Sequence, residues 1–135
     1  MMTKPASVSF IGSGNLAWHL APALDNAGFA VKEVYSPNPS HAGSLVERLY
    51  EADVKASLDF STSPSKIFVI AATDDAIADI AKEIVLQEDS ILVHTSGAQP
   101  LSVLGYAATS STGVFYPLQT FSKYERSIWR LFPFL

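Results

Sequence analysis

Cysteine is absent from the 135 residues. That removes disulfides, thiolate zinc sites and thiol nucleophiles together, since each needs at least one sulfur. Charge is sparse too: 16% of residues are Asp, Glu, Lys or Arg, and nine basic residues stand against thirteen acidic ones, for a formal net charge of -4. No basic field that would neutralise a phosphate backbone can be assembled from that balance, so nucleic acid is not expected as a partner and a small-molecule substrate is. Long apolar runs are missing as well. Ser90 to Ser122 holds no charged residue, but Gly97, Pro100, Gly105, Gly113 and Pro117 interrupt it. No stretch of roughly 18 apolar residues survives, and no membrane span is expected. Met1 to Pro5 lead into a short apolar segment and a glycine motif without the apolar core and cleavage site of a signal peptide, which points to the cytoplasm.

What is present is a chain nearly half apolar (48%) and of single-domain length. Short β-branched runs alternate with helix-like stretches, the pattern of parallel strands joined by crossover helices. Six strands are expected: Ser7 to Ile11, Ala30 to Tyr35, a weak Val54 to Ala56, Lys66 to Ala71, Ser90 to His94, and Gly113 to Tyr116. The fourth and fifth are nearly continuous apolar segments, as central strands covered on both faces are. Leu16, Leu20, Leu24 and Ala27 mark a first helix that stops at Gly28, with Pro22 inside it predicting a local kink. A second helix is expected over Ser40 to Glu51. A third, started by Thr73 or Asp74, carries Ile77, Ile80, Ala81 and Ile84 as its stripe, and a short fourth begins near Leu101. The fold class is α/β, a doubly wound, mostly parallel sheet in one domain over residues 1–124, with strand order 3-2-1-4-5-6. Residues 125–135 form a separate apolar tail.

Gly12-Ser13-Gly14-Asn15-Leu16-Ala17 fits the G-x-G-x-x-G/A pattern, entered by a strand and left by an amphipathic helix. Gly12 permits the tight turn, Gly14 removes a Cβ from the path of a pyrophosphate, and Ala17 lets helix and strand pack closely. Phosphates would sit at the helix N-terminus, against unpaired N–H groups and the positive end of the dipole. A nicotinamide dinucleotide is therefore the expected ligand.

An acidic residue at the end of the second strand would bind both ribose hydroxyls of NAD. Here that strand ends in Tyr35-Ser36, followed by Pro37, Asn38, Pro39, Ser40 and His41. With no carboxylate there to repel a 2′-phosphate, the balance leans to NADP, with NAD as the other choice. No Arg stands nearby to clamp that phosphate. Glu33 falls mid-strand and reads as solvent-facing. Ser36 and Asn38 are expected at the adenosine ribose; Ala72, Thr73, Thr95 and Ser96 border the nicotinamide at the ends of strands four and five. His94 is a candidate general acid and more readily a satisfied strand-end residue. Asp74 and Asp75 read as helix-start partners, and His19 as a surface or packing residue. No catalytic residue is assigned.

The segments Phe10 to Leu20, Tyr35-Ser36, Ile70 to Ile77, His94-Thr95-Ser96-Gly97 and Gly113 to Phe121 resemble a family of Rossmann-like oxidoreductases that carry an uncharacterised C-terminal domain. That family is related to pyrroline-5-carboxylate reductases and deazaflavin-dependent NADP reductases. The resemblance covers about residues 6 to 124. It implies NADP in the glycine loop, hydride transfer to a small imine or carbonyl substrate, and a helical second domain that dimerises and completes the active site. That domain is not in this chain, so a homodimer would form only through the missing part. The chain departs from the family twice. Ser36-Pro37-Asn38 stands where many members have Ser-Arg, and Tyr116 where many have His. A second reading is a non-catalytic dinucleotide-binding or sensing module that acts through a partner.

Overall fold

The computed structural model describes residues 6–95 and 111–114. In chain order the elements are β1 (Ser7–Ile11), α1 (Asn15–Asn26), β2 (Ala30–Tyr35), α2 (Pro39–Val46), β3 (Asp53–Lys55), β4 (Ile67–Ile70), α3 (Asp74–Glu83), β5 (Ile91–His94) and β6 (Ser111–Val114). The six strands form one sheet in the order β3-β2-β1-β4-β5-β6, and every neighbouring pair is parallel. This is the expected order, and it reverses between β1 and β4. A crevice opens at such a reversal, beyond the carboxyl ends of the strands.

Alternation along the strands builds two cores. Val8, Phe10, Ile67, Val69 and Val93 point to one face, where α1 and α2 bury Ala17, Leu20, Leu24, Ala42 and Leu45. Ile11, Phe68, Ile70 and Leu92 point to the other, against Ile77, Ala81 and Ile84 of α3 and its end, and Phe60 of the loop before β4. All four residues of β4 are buried, which is why that strand reads as an unbroken apolar run. Among the described residues no helix is long and apolar enough to cross a membrane.

Several boundaries differ from expectation. β3 begins at Asp53, and β6 begins at Ser111 rather than Gly113. α2 ends at Val46, because the chain beyond it tightens: Arg48 N–H donates to Leu45 O and Leu49 N–H to Val46 O, bonds one residue shorter than an α-helix makes. Tyr50 N–H then donates to the carboxylate of Asp25 at 2.8 Å, tying this exit to the end of α1. α1 itself continues through Pro22 as one helix. The fourth helix near Leu101 and the tail 125–135 lie outside the described residues.

β2 holds the main correction. The β1–β2 register slips between Val8 and Ser9, so that Val8 faces Val31 but Ser9 faces Glu33, leaving Lys32 as an extra residue. The slip puts Val31 and Val34, three apart, in the same core and turns Glu33 to the face of Ser9. Glu33 is not solvent-facing: its Oε1 accepts hydrogen bonds from Ser9 Oγ (2.7 Å) and Ser63 Oγ (2.6 Å). Ser65 completes the cluster, its Oγ 2.6 Å from Ser9 Oγ.

Candidate functional site

The carboxyl ends of β1, β2 and β4 are laced together by main-chain bonds. Gly12 N–H donates to Tyr35 O at 2.7 Å, and Ala71 N–H to Ile11 O at 2.8 Å. These bonds draw the turn after β1 against the end of β4. Gly12 has φ +117°, a conformation side chains disfavour, and a Cβ there would lie 2.2 Å from the carbonyl oxygen of Ala71. The first glycine of the motif is thus required by the protein's own backbone.

Among the described residues nothing requires a glycine at position 14. It is the N-cap of α1 with φ -75° and ψ -167°, which any residue adopts, and a Cβ built on it meets no atom within 4 Å. Gly14 is among the residues that line a groove of about 380 Å³, Gly12–Leu16, Ser36, Pro37, His41 and Ala71–Thr73. α1 enters the groove without a side-chain cap and without an acidic residue in its first turn. Its leading N–H groups lack helical acceptors, as at any helix start, so the groove offers an anion both donors and the positive end of a dipole.

Eight sequence-predicted residues, Gly12, Ser13, Gly14, Asn15, Leu16, Ser36, Ala72 and Thr73, line this groove. Ser36 is nearly buried, and its Oγ accepts the N–H of Asn38 at 3.2 Å. Asn38 is not among the described lining residues; its Oδ1 caps α2 by accepting from Ser40 N–H at 3.0 Å. Thr95 is buried, and its hydroxyl donates to Ile70 O at 3.2 Å, joining the ends of β4 and β5. Ser96 lies outside the described residues, as do Tyr116 and the segment after it. His94, the last residue of β5, is fully buried in register with Ile70 and Val114. His19 is exposed. His41 and Ala71, which the sequence places just past the ends of β2 and β4 without a role of their own, also line the groove.

Residues 2–119 match the Rossmann-like domain family. The chain belongs to that family. Among solved structures it is similar to a Bacteroides fragilis protein provisionally named an NADP oxidoreductase, at 35% identity and a TM-score of 0.75, over 90% of this chain and 47% of that one. It is also similar in fold to prephenate dehydrogenase from A. aeolicus, solved with hydroxyphenyl propionate and NAD+ (17% identity, TM-score 0.72, 87% of this chain and 43% of that one). A diketoreductase matches at 18% identity and a TM-score of 0.70, over 85% of this chain and 50% of that one. The chain therefore spans about half the length of each of these proteins. No curated protein sequence matches it.

Proposed function

We propose that the chain is the dinucleotide-binding part of an oxidoreductase that moves a hydride between NADP(H) and a small imine or carbonyl substrate. The observation that carries this reading is Gly14. A Cβ there would meet no described atom within 4 Å and Gly14 lines the groove, so the glycine makes sense as clearance for a ligand lying across the start of α1. When bound, the dinucleotide supplies the hydride, and the protein supplies position and electrostatics. The turn Gly12–Leu16 and the leading amides of α1 hold the pyrophosphate. Ser36 and Asn38 meet the adenosine ribose, and Ala72, Thr73, Thr95 and Ser96 border the nicotinamide. The 35% identity to a protein provisionally named an NADP oxidoreductase supports the same assignment.

Residues 1–124 form the binding domain in this reading. The substrate pocket and a homodimer contact belong to a helical second domain, a cytoplasmic location goes with it, and kinship with pyrroline-5-carboxylate reductases rests on the motifs alone. Calorimetric titration of the 135-residue chain with NADPH and NADH in parallel tests it. Micromolar-range binding that disappears in Gly14→Val is the expected result. Absence of binding of either dinucleotide to the folded chain overturns the reading.

A further inference from the structure

Resting on that reading, we infer that His41 is the group that distinguishes a 2′-phosphorylated dinucleotide from an unphosphorylated one, and that it makes this choice depend on pH. The groove beside the end of β2 has to answer a dianionic phosphate if it takes NADP, and its described lining has few means of doing so. From the β1–α1 loop, the β2–α2 segment and the β4–α3 loop, no described lining residue carries a carboxylate, an ammonium or a guanidinium, and His41 is the one with an ionisable side chain.

Neighbouring cations are committed elsewhere. The guanidinium of Arg48 bonds Trp18 O and lies over the Trp18 ring, and the ammonium of Lys55 lies 5.4 Å from the centroid of the Phe60 ring. The first amides of α2 are engaged as well. Ser40 N–H donates to Asn38 Oδ1 at 3.0 Å, while His41 N–H and Ala42 N–H donate to Asn38 O at 3.0 and 3.3 Å. The imidazole is left to meet the charge.

The described contact of the imidazole is a weak one. Because Asn38 Oδ1 accepts from Ser40, the Asn38 amide nitrogen is the atom that faces His41 Nε2, at a weak 3.5 Å. A 2′-phosphate drawn into the groove exchanges this weak contact for a bond that is charge-assisted when the imidazole is protonated. A phosphate monoester is mostly dianionic above pH 6 and histidine changes charge between about pH 5 and 8, so the preference for NADPH over NADH rises as pH falls from 8.5 to 6.5.

Titrating the full chain with NADPH and with NADH at pH 6.5, 7.5 and 8.5, at constant ionic strength, tests the inference. A preference for NADPH of about tenfold at pH 6.5, shrinking severalfold by pH 8.5, is the expected magnitude for one exposed charge-assisted contact. His41→Ala should flatten the pH dependence and bring the two affinities within about threefold. His41→Lys should restore a preference for NADPH that no longer varies over this range, which a merely structural role for His41 would not produce. If both dinucleotides bind but the ratio of their affinities is the same in wild type and His41→Ala at every pH, the inference falls while the dinucleotide-binding reading stands. If neither binds, the reading itself falls, and the inference with it.

Discussion

Arg48 and Trp18 meet twice: Nη1 donates to the Trp18 carbonyl oxygen at 3.1 Å, and the guanidinium carbon lies 4.3 Å from the centroid of the Trp18 ring. The carbonyl is the one that Pro22, four residues on, deprives of its helical donor. A side chain from the segment after α2 therefore completes the hydrogen bonding of α1, which is how the helix runs through a proline. Arg48→Met should lower stability by about 1 kcal/mol, from one hydrogen bond and one exposed cation–π contact. In a Pro22→Ala background the new N–H takes the Trp18 carbonyl, and the same change should cost about half as much. Urea denaturation of the four members of this cycle measures the coupling. Equal costs in both backgrounds would show that the proline and the arginine are unrelated.

The two motif glycines should separate stability from binding. Gly12→Ala places a Cβ against the Ala71 carbonyl at a positive φ, and is expected to cost more than about 2 kcal/mol. Gly14→Ala meets no described atom within 4 Å and exchanges one N-cap residue for a poorer one, for a cost of no more than about 1 kcal/mol. Thermal unfolding read beside NADPH titration should thus find the first variant unstable and the second folded but impaired in binding. A folded Gly14→Ala chain with full affinity would mean that no ligand passes over this position.

Asp89 and Lys66 join the turn before β5 to the start of β4, Nζ to carboxylate at 2.7 Å. The hydrogen bond from Lys66, and then its charge, hold the Asp89 carboxyl below the usual aspartate range. A group with a lowered folded value stabilises the fold above its unfolded pKa, and that contribution is lost as pH falls through the lower folded value. Both side chains are largely exposed, so the effect belongs to the acid limb alone and weakens with salt. Following the carboxyl carbon shift of Asp89 by NMR should give a midpoint below 3.8, the ordinary aspartate value. Lys66→Met should move it up. A midpoint that ignores the substitution would leave the bridge without thermodynamic content.

The strand order, both helix-covered faces and the glycine turn were legible because each follows from local pattern. A run such as Ile67-Phe68-Val69-Ile70 has no polar side to turn outward, and Gly12 to Ala17 sits where a strand meets a helix. What could not be read depends on pairing between distant segments. The slip opposite Lys32 is a property of β1 and β2 together, and nothing in the residues 30–35 marks which one is extra, so the sequence alone reads Glu33 as solvent-facing. Thr95 illustrates the same limit within the site. Its position at the end of β5 was evident, but the hydrogen bond to Ile70 O exists only once β4 and β5 are in register.

The Glu33 cluster should therefore matter to folding. Ser9 is fully buried and Ser63 and Ser65 nearly so. With one proton, Ser9 Oγ donates to Glu33 and accepts from Ser65, while Ser63 Oγ donates to Glu33 and accepts the Ser65 N–H at 3.1 Å. One carboxylate oxygen thus terminates two chains of hydrogen bonds that pin the loop before β4 to the sheet. Glu33→Ala strands two buried hydroxyl donors and should cost about 2 kcal/mol. Glu33→Gln keeps a carbonyl oxygen that can occupy the same place, and should cost less than about 1 kcal/mol. Amide hydrogen exchange adds a local readout: the N–H groups of Ser63 and Ser65 should lose protection in the alanine variant before the rest of the sheet does. Alanine and glutamine variants of equal stability would show that the serines find other acceptors, and that the register slip in β2 is set by the packing of Val31 and Val34 alone.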